Sequence, residues 1–159
     1  MADDPFTETL NKLWDLLESH AGFTRLVSLK NRIKLTGRNP VPYRAQAQSA
    51  DLPEVLIEPA GGEVHLFVTG SSSRAVQDYA IVITTDDLGV SRTLFPLKWE
   101  LMKALSKSGD SLGLSFVKKV RIKELTERES GRTDRRAAGW SASLVVSVEM
   151  WFANAQLQT

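Results

Sequence analysis

From Trp140 to Phe152 every even position is apolar, Trp140, Ala142, Leu144, Val146, Val148, Met150 and Phe152, while Ser141, Ser143, Ser147 and Glu149 stand at odd ones. A period of two sustained this long is the mark of a β-strand with one face in a core and the other largely polar. Such a strand needs partners along its edges and a layer to cover its apolar face. The rest of the chain must therefore supply further strands and at least one amphipathic layer.

Both are present. Asp4-Pro5 reads as an N-cap with proline at the first helical position. Leu10, Leu13, Trp14 and Leu17 then form one apolar stripe on a helix predicted over 6–20, with Gly22 as its stop. A second helix is predicted from Leu94 or Phe95, because Pro96 is tolerated only in a first turn; its inner stripe is Leu97, Leu101, Ala104 and Leu105, and Gly109 ends it. Strands are predicted at 53–59, at 63–68 after a Gly61-Gly62 turn, at 75–86, and at 116–127 with Val120 and Ile122 inward. In the 75–86 strand Tyr79, Ile81 and Ile83 share a face, and Ala80 and Val82 on the other suggest an interior strand. "GSSSRA", 70–75, reads as a connector. Two longer segments remain: 29–52, rich in polar residues and holding at most a short strand near Arg32–Leu35, and a hairpin loop at 127–139. The order predicts a single α+β domain over 1–159, a mostly antiparallel sheet with two helices packed on one face.

Composition narrows the function classes. A chain of 159 residues with 42% hydrophobic and 25% charged residues has the make-up of one folded domain. The absence of cysteine removes thiolate chemistry and cysteine-built metal sites. A net charge of +1 argues against a protein whose task is to coat nucleic acid. "MADDPFTETLNKLW" lacks the order of a secretory signal, and no apolar run reaches the roughly 20 residues of a membrane span, so the expectation is a cytoplasmic protein without a membrane.

Chemical motifs are scarce. His20 and His65 stand apart from any metal-ligand spacing and read as surface histidines. The serines of 71–73 lack a nucleophile elbow. Asp86 and Asp87 follow a strand, where carboxylates bind magnesium, and also precede Gly89, where they serve a turn; the turn is the favoured reading. No cofactor and no catalytic residue is expected. An enzyme using Asp86, Asp87 and Glu54 is the reading that a convergence of those carboxylates would demand. In the loop, Arg128, Arg132, Arg135 and Arg136 stand with Glu127, Glu129 and Asp134, a near balance without stacking aromatics, so a solvated hairpin loop is the first reading, a contact with a protein partner the second and DNA the third. Trp151 breaks the polar face of its strand, and Trp99 stands on the second helix; both are candidate interface anchors, with sheet packing the plain alternative for Trp99. Arg38 and Tyr43 are the candidates in the long loop.

The N-terminal helix, the proline-flanked strand, "DYAIVITTDD", the helix "FPLKWELMKAL", "FVKKVRIKE" and "GWSASLVVSV" resemble, in this order, the phage tail terminator family, also called tail completion or head–tail joining proteins. The resemblance implies a non-enzymatic virion protein of a phage or prophage, assembled in the host cytoplasm. It implies a hexameric ring of self-contacts on the tail tube protein that stops tube polymerisation and offers a docking surface to the head connector or neck protein. DNA would pass through the lumen without specific binding. A monomeric or dimeric protein-binding module, or another neck protein of the same layout, is the alternative.

Overall fold

The computed structural model describes residues 4–35, 53–130 and 139–159. Helix α1, Pro5–Glu18, starts where the capping chemistry demands: Asp4 accepts from the backbone N–H groups of Phe6 and Thr7, each at 3.0 Å. Those bonds, with one from the Thr7 hydroxyl, hold the Asp4 carboxyl below the usual carboxylate range. The helix buries Leu13, Trp14, Leu16 and Leu17. It ends at Ser19 rather than running to Gly22, and a second short helix, α2, Ala21–Leu26, contains that glycine. Gly22 is therefore no stop signal. A Cβ there would lie 2.0 Å from the Glu100 carboxylate, so a larger residue would displace that side chain, which belongs to the next helix, α3, Leu94–Ser106.

Five strands form one sheet: β1, Arg32–Lys34; β2, Glu54–His65; β3, Ser72–Thr84; β4, Val117–Ser130; and β5, Gly139–Ala153. Their spatial order is β1-β2-β3-β5-β4. β1 runs parallel to β2 and the other pairings are antiparallel, so the sheet is mixed. The register places Val55 opposite Ile83, Ile57 opposite Ile81, Ile81 opposite Leu144 and Tyr79 opposite Val146, all on one face. These side chains join Leu13 and Leu17 of α1, Phe23 of α2, and Leu94, Leu97 and Leu101 of α3 in a single buried cluster. Three helices rather than the expected two thus contribute to the core. The other face carries Ile33, Leu56 and Ala80, all buried, and then turns polar with Asp78, Ser143, Ser147 and Glu149.

Several boundaries differ from the sequence reading, each for a physical reason. The segments 53–59 and 63–68 belong to one strand, β2, up to His65, and the Gly61-Gly62 pair makes an irregularity in its pairing, not a turn. Gly61 has φ +86°, and a Cβ on Gly62 would meet the Val76 carbonyl oxygen at 1.9 Å, so the bulge admits only glycine. The real turn lies at 66–71, and Ser72 to Arg74 of the presumed connector are already β3. α3 begins as expected but is capped at Lys107, before Gly109, which opens a short 3-10 turn, Gly109–Ser111. In β4, register shifts between Val117 and Lys119 and between Ile122 and Glu124 turn the strand, and Ile122, expected inward, is 45% exposed. The short strand near Arg32 is present as β1. The loop expected at 127–139 is narrower, since Glu127 to Ser130 extend β4 and Gly139 opens β5. A final turn of helix, α4, Asn154–Leu157, had no signal in the sequence reading.

Candidate assembly surfaces

Helix α3 divides its residues cleanly. Leu94, Leu97, Leu101, Ala104 and Leu105 face the sheet, which leaves Phe95, Trp99 and Met102, at spacings of four and three, on the outer side. Trp99 is 59% exposed, with the Lys103 ammonium 5.8 Å from its ring centroid, so it does not pack against the sheet. A Lys98–Glu127 ion pair at 3.1 Å ties α3 to β4. Between the helix and the strand lies a groove of about 350 Å³, lined mainly by Met102, Leu105, Val120, Ile122 and Val146, with Asp110 and Arg121 also in its lining. Among the described residues β4 is an edge strand with no further strand beside it, and its apolar side chains line the groove next to α3. Arg128 lies on this strand, opposite Ser141 and exposed.

The β2–β3 hairpin ends in a second apolar surface. Val64, Leu66, Phe67 and Val68 are all exposed, Phe67 with φ +55° at 60% exposure. This end is nevertheless built firmly. The Phe67 N–H donates to the Ser73 hydroxyl at 2.9 Å, and that hydroxyl donates to Asn154 Oδ1 at 2.6 Å. Asn154 in turn donates to the carbonyls of Thr69 and Gly70 at 3.3 and 3.2 Å. Ser73 and Asn154 are buried, so a polar network braces a turn whose apolar side chains point outward.

Trp151 lies on the opposite sheet face from the helices, in register with Arg74 and with the Lys118 ammonium 5.9 Å from its ring centroid. Next to it Arg74 pairs with Glu149 at 2.5 Å, and Lys123 with Asp78 at 3.1 Å. A polar cleft of about 160 Å³ runs between Arg74, Lys119, Arg121, Ser147 and Glu149. The two candidate tryptophans therefore occupy opposite sides of the sheet and do not form one site. Arg38, Tyr43, Arg132, Arg135 and Arg136 lie outside the described residues.

The candidate chemistry does not converge. His20 meets Glu100 at 2.5 Å and joins α2 to α3; hydrogen bonds from Lys103 and His20 hold the Glu100 carboxyl below its ordinary range. His65 meets Glu63 at 3.0 Å on the open hairpin. Asp87 accepts from the Gly89 N–H at 2.7 Å, the turn role expected of it. Glu54 is buried at the start of β2, opposite Thr84. Among the described residues no three His, Asp or Glu side chains gather as a metal site, and no helix is long and apolar enough to cross a membrane.

The sequence reading missed Phe95, Met102 and the hairpin end. The first two were readable as the outer stripe once Leu97 and Leu101 were assigned inward. The last was masked because "VHLFV" looks like a buried strand. No family model matches this chain, and no curated protein matches it. Among solved structures it is similar to a chain from the virion of a native gene transfer agent particle, at 14% identity and a TM-score of 0.56. The match spans 90% of this chain and 94% of that one, so the two have the same fold over nearly their whole lengths.

Proposed function

We propose that this chain is a structural protein of a phage-like virion and that it acts as a tail terminator, a ring subunit seated on the head-proximal end of the tail tube. The observation that supports this best is the fold shared, over nine-tenths of the chain, with a chain from the virion of a gene transfer agent particle. The order of elements that resembles tail terminators adds to it. The surfaces suit the role. A ring subunit needs two unlike exposed patches, and the outer side of α3 and the hairpin end are two such patches on different parts of the molecule. In this reading the ring is a hexamer, its partners are the tube protein and the head connector, and the chain does no covalent chemistry.

Deletion of the gene in the producing cell, followed by electron microscopy of the lysate, tests the proposal. Filled heads without tails, beside tubes of uncontrolled length, are the expected result. Intact particles of normal tail length would overturn it.

A further inference from the structure

We propose that the sheet face turned away from the helices binds the phosphodiester backbone of single-stranded nucleic acid, with phosphates on Lys119 and Arg121 and a base stacked on Trp151. The inference goes beyond the ring reading and does not rest on it.

One end of this face is basic for a geometric reason. The two register shifts in β4 each insert an extra residue, Lys118 and Lys123, and both side chains reach the outer side, Lys118 to Trp151 and Lys123 to Asp78. There they join Lys119, opposite Glu149, and Arg121, opposite Ser147. Most acids of the region are already matched. Glu149 pairs with Arg74 at 2.5 Å, Asp78 with Lys123 at 3.1 Å and Glu63 with His65 at 3.0 Å. Glu124 stands beyond Lys123, opposite Val145 and outside the lining of the polar cleft. Lys118, Lys119 and Arg121 are exposed and form no ion pair among the described residues. Cations left without an acid are the ones that gain by replacing the counterions of a phosphate chain.

Three features select the ligand. Lys119 and Arg121 lie two residues apart on an extended strand, about 7 Å, a step that matches consecutive phosphates of a drawn-out single strand. The cleft of about 160 Å³ opens between them and Arg74, with the small Ser147 in its lining, and gives an anion access to both cations. Trp151 lies half-buried at the end of the same face, opposite Arg74, with the Lys118 ammonium 5.9 Å from its ring centroid. Lys118 is long and exposed, so it can exchange the ring for a phosphate and open the indole to a base. A basic groove beside an aromatic platform holds single strands without regard to sequence. An acidic protein would meet the cations but leave the indole without a stacking partner. In a duplex the bases are stacked on one another and do not reach it.

Anisotropy of a labelled oligothymidylate of about 12 nucleotides, titrated with the full chain over a series of salt concentrations, tests the proposal. The expected result is saturable binding at about 50 mM salt that weakens as salt rises. The double variant Lys119→Gln, Arg121→Gln should bind at least roughly tenfold more weakly. Its slope of log K against log salt should be shallower by about 1.4, two phosphates at about 0.7 each. Trp151→Val should weaken binding about five- to a hundredfold at an unchanged slope. Circular dichroism checks that each variant is folded, and the exposed double variant carries the test by itself if Trp151→Val is not. Equal binding by wild type and the double variant, or no binding at the lowest salt, would overturn the proposal. So would equal affinity for polyglutamate, which would make the face a dock for acidic proteins. Equal affinity for a duplex of the same length, with no effect of Trp151→Val, would overturn the assignment to single strands.

Discussion

Arg32 shows how one residue ties the helical layer to the sheet. Its guanidinium is buried, donates to the Val27 carbonyl from both Nε at 3.1 Å and Nη2 at 2.9 Å, and reaches Glu18 at 3.0 Å while lying 5.7 Å from the Phe23 ring centroid. Lys34 completes the ion pair from the next inward position of β1. Burial pushes the Glu18 carboxyl up, but hydrogen bonds from Lys34 and Arg32 outweigh it and hold the group below its ordinary value of 4.5. A carboxyl depressed in the folded state contributes stability above its unfolded pKa and loses it as pH falls through the folded one. Urea unfolding at a series of pH values should therefore show stability falling below about pH 4.5. In Glu18→Gln, stability at pH 7 should drop by about 1–3 kcal/mol, and the gap to the wild type should narrow on acidification.

At the scale of elements, α3 makes the clearest separation between what folds the protein and what it presents. Leu97 is fully buried, and its replacement by alanine should cost about 2–5 kcal/mol in thermal or urea unfolding. Trp99 lies two residues on and faces outward, so Trp99→Ala should shift stability by no more than about 0.5 kcal/mol. The same change should weaken self-association, read by light scattering. The hairpin end gives the converse case. Asn154→Ala removes the acceptor of Ser73 and the donors to Thr69 and Gly70, and should cost about 1–3 kcal/mol. Hydrogen exchange should quicken at 66–73 and stay unchanged in the centre of β3. Much of this layer was legible in the sequence. Trp140 to Phe152 named β5 outright because a period of two has no other reading; the leucine stripe named α3, and Pro96 in its first turn placed its start at Leu94. Gly61-Gly62 misled because the conformational freedom that makes a turn also makes a bulge, and only the partner strand decides between them. Gly139 belongs with these: a Cβ there would meet the Thr85 carbonyl oxygen at 1.8 Å, a contact between residues far apart in the chain that no local pattern announces.

For the whole molecule, the distribution of charge says more than its sum. A net of +1 hides an acidic stretch on β2 and a basic one on β4, at different places in the same sheet. The candidate surfaces were half legible for a related reason. Trp99 stood out as a bulky residue on a helix whose inner face was already known, whereas Trp151 drew notice for breaking a polar face and proved to lie on the other side of the sheet. Whether a side chain is presented or hidden depends on the order of strands, and that order was fixed by contacts between distant segments.

The position of β4 carries one more consequence. As the terminal strand among the described residues it presents a row of backbone donors and acceptors along Val117–Ser130, a template on which an extended chain can add another strand. Lys118, Lys119, Arg121 and Lys123 crowd that border, and the two register shifts twist it out of the flat geometry that stacking requires. Runaway, fibre-like polymerisation is the hazard that such an edge carries. Those lysines and that arginine discourage a second β4 from lying alongside the first.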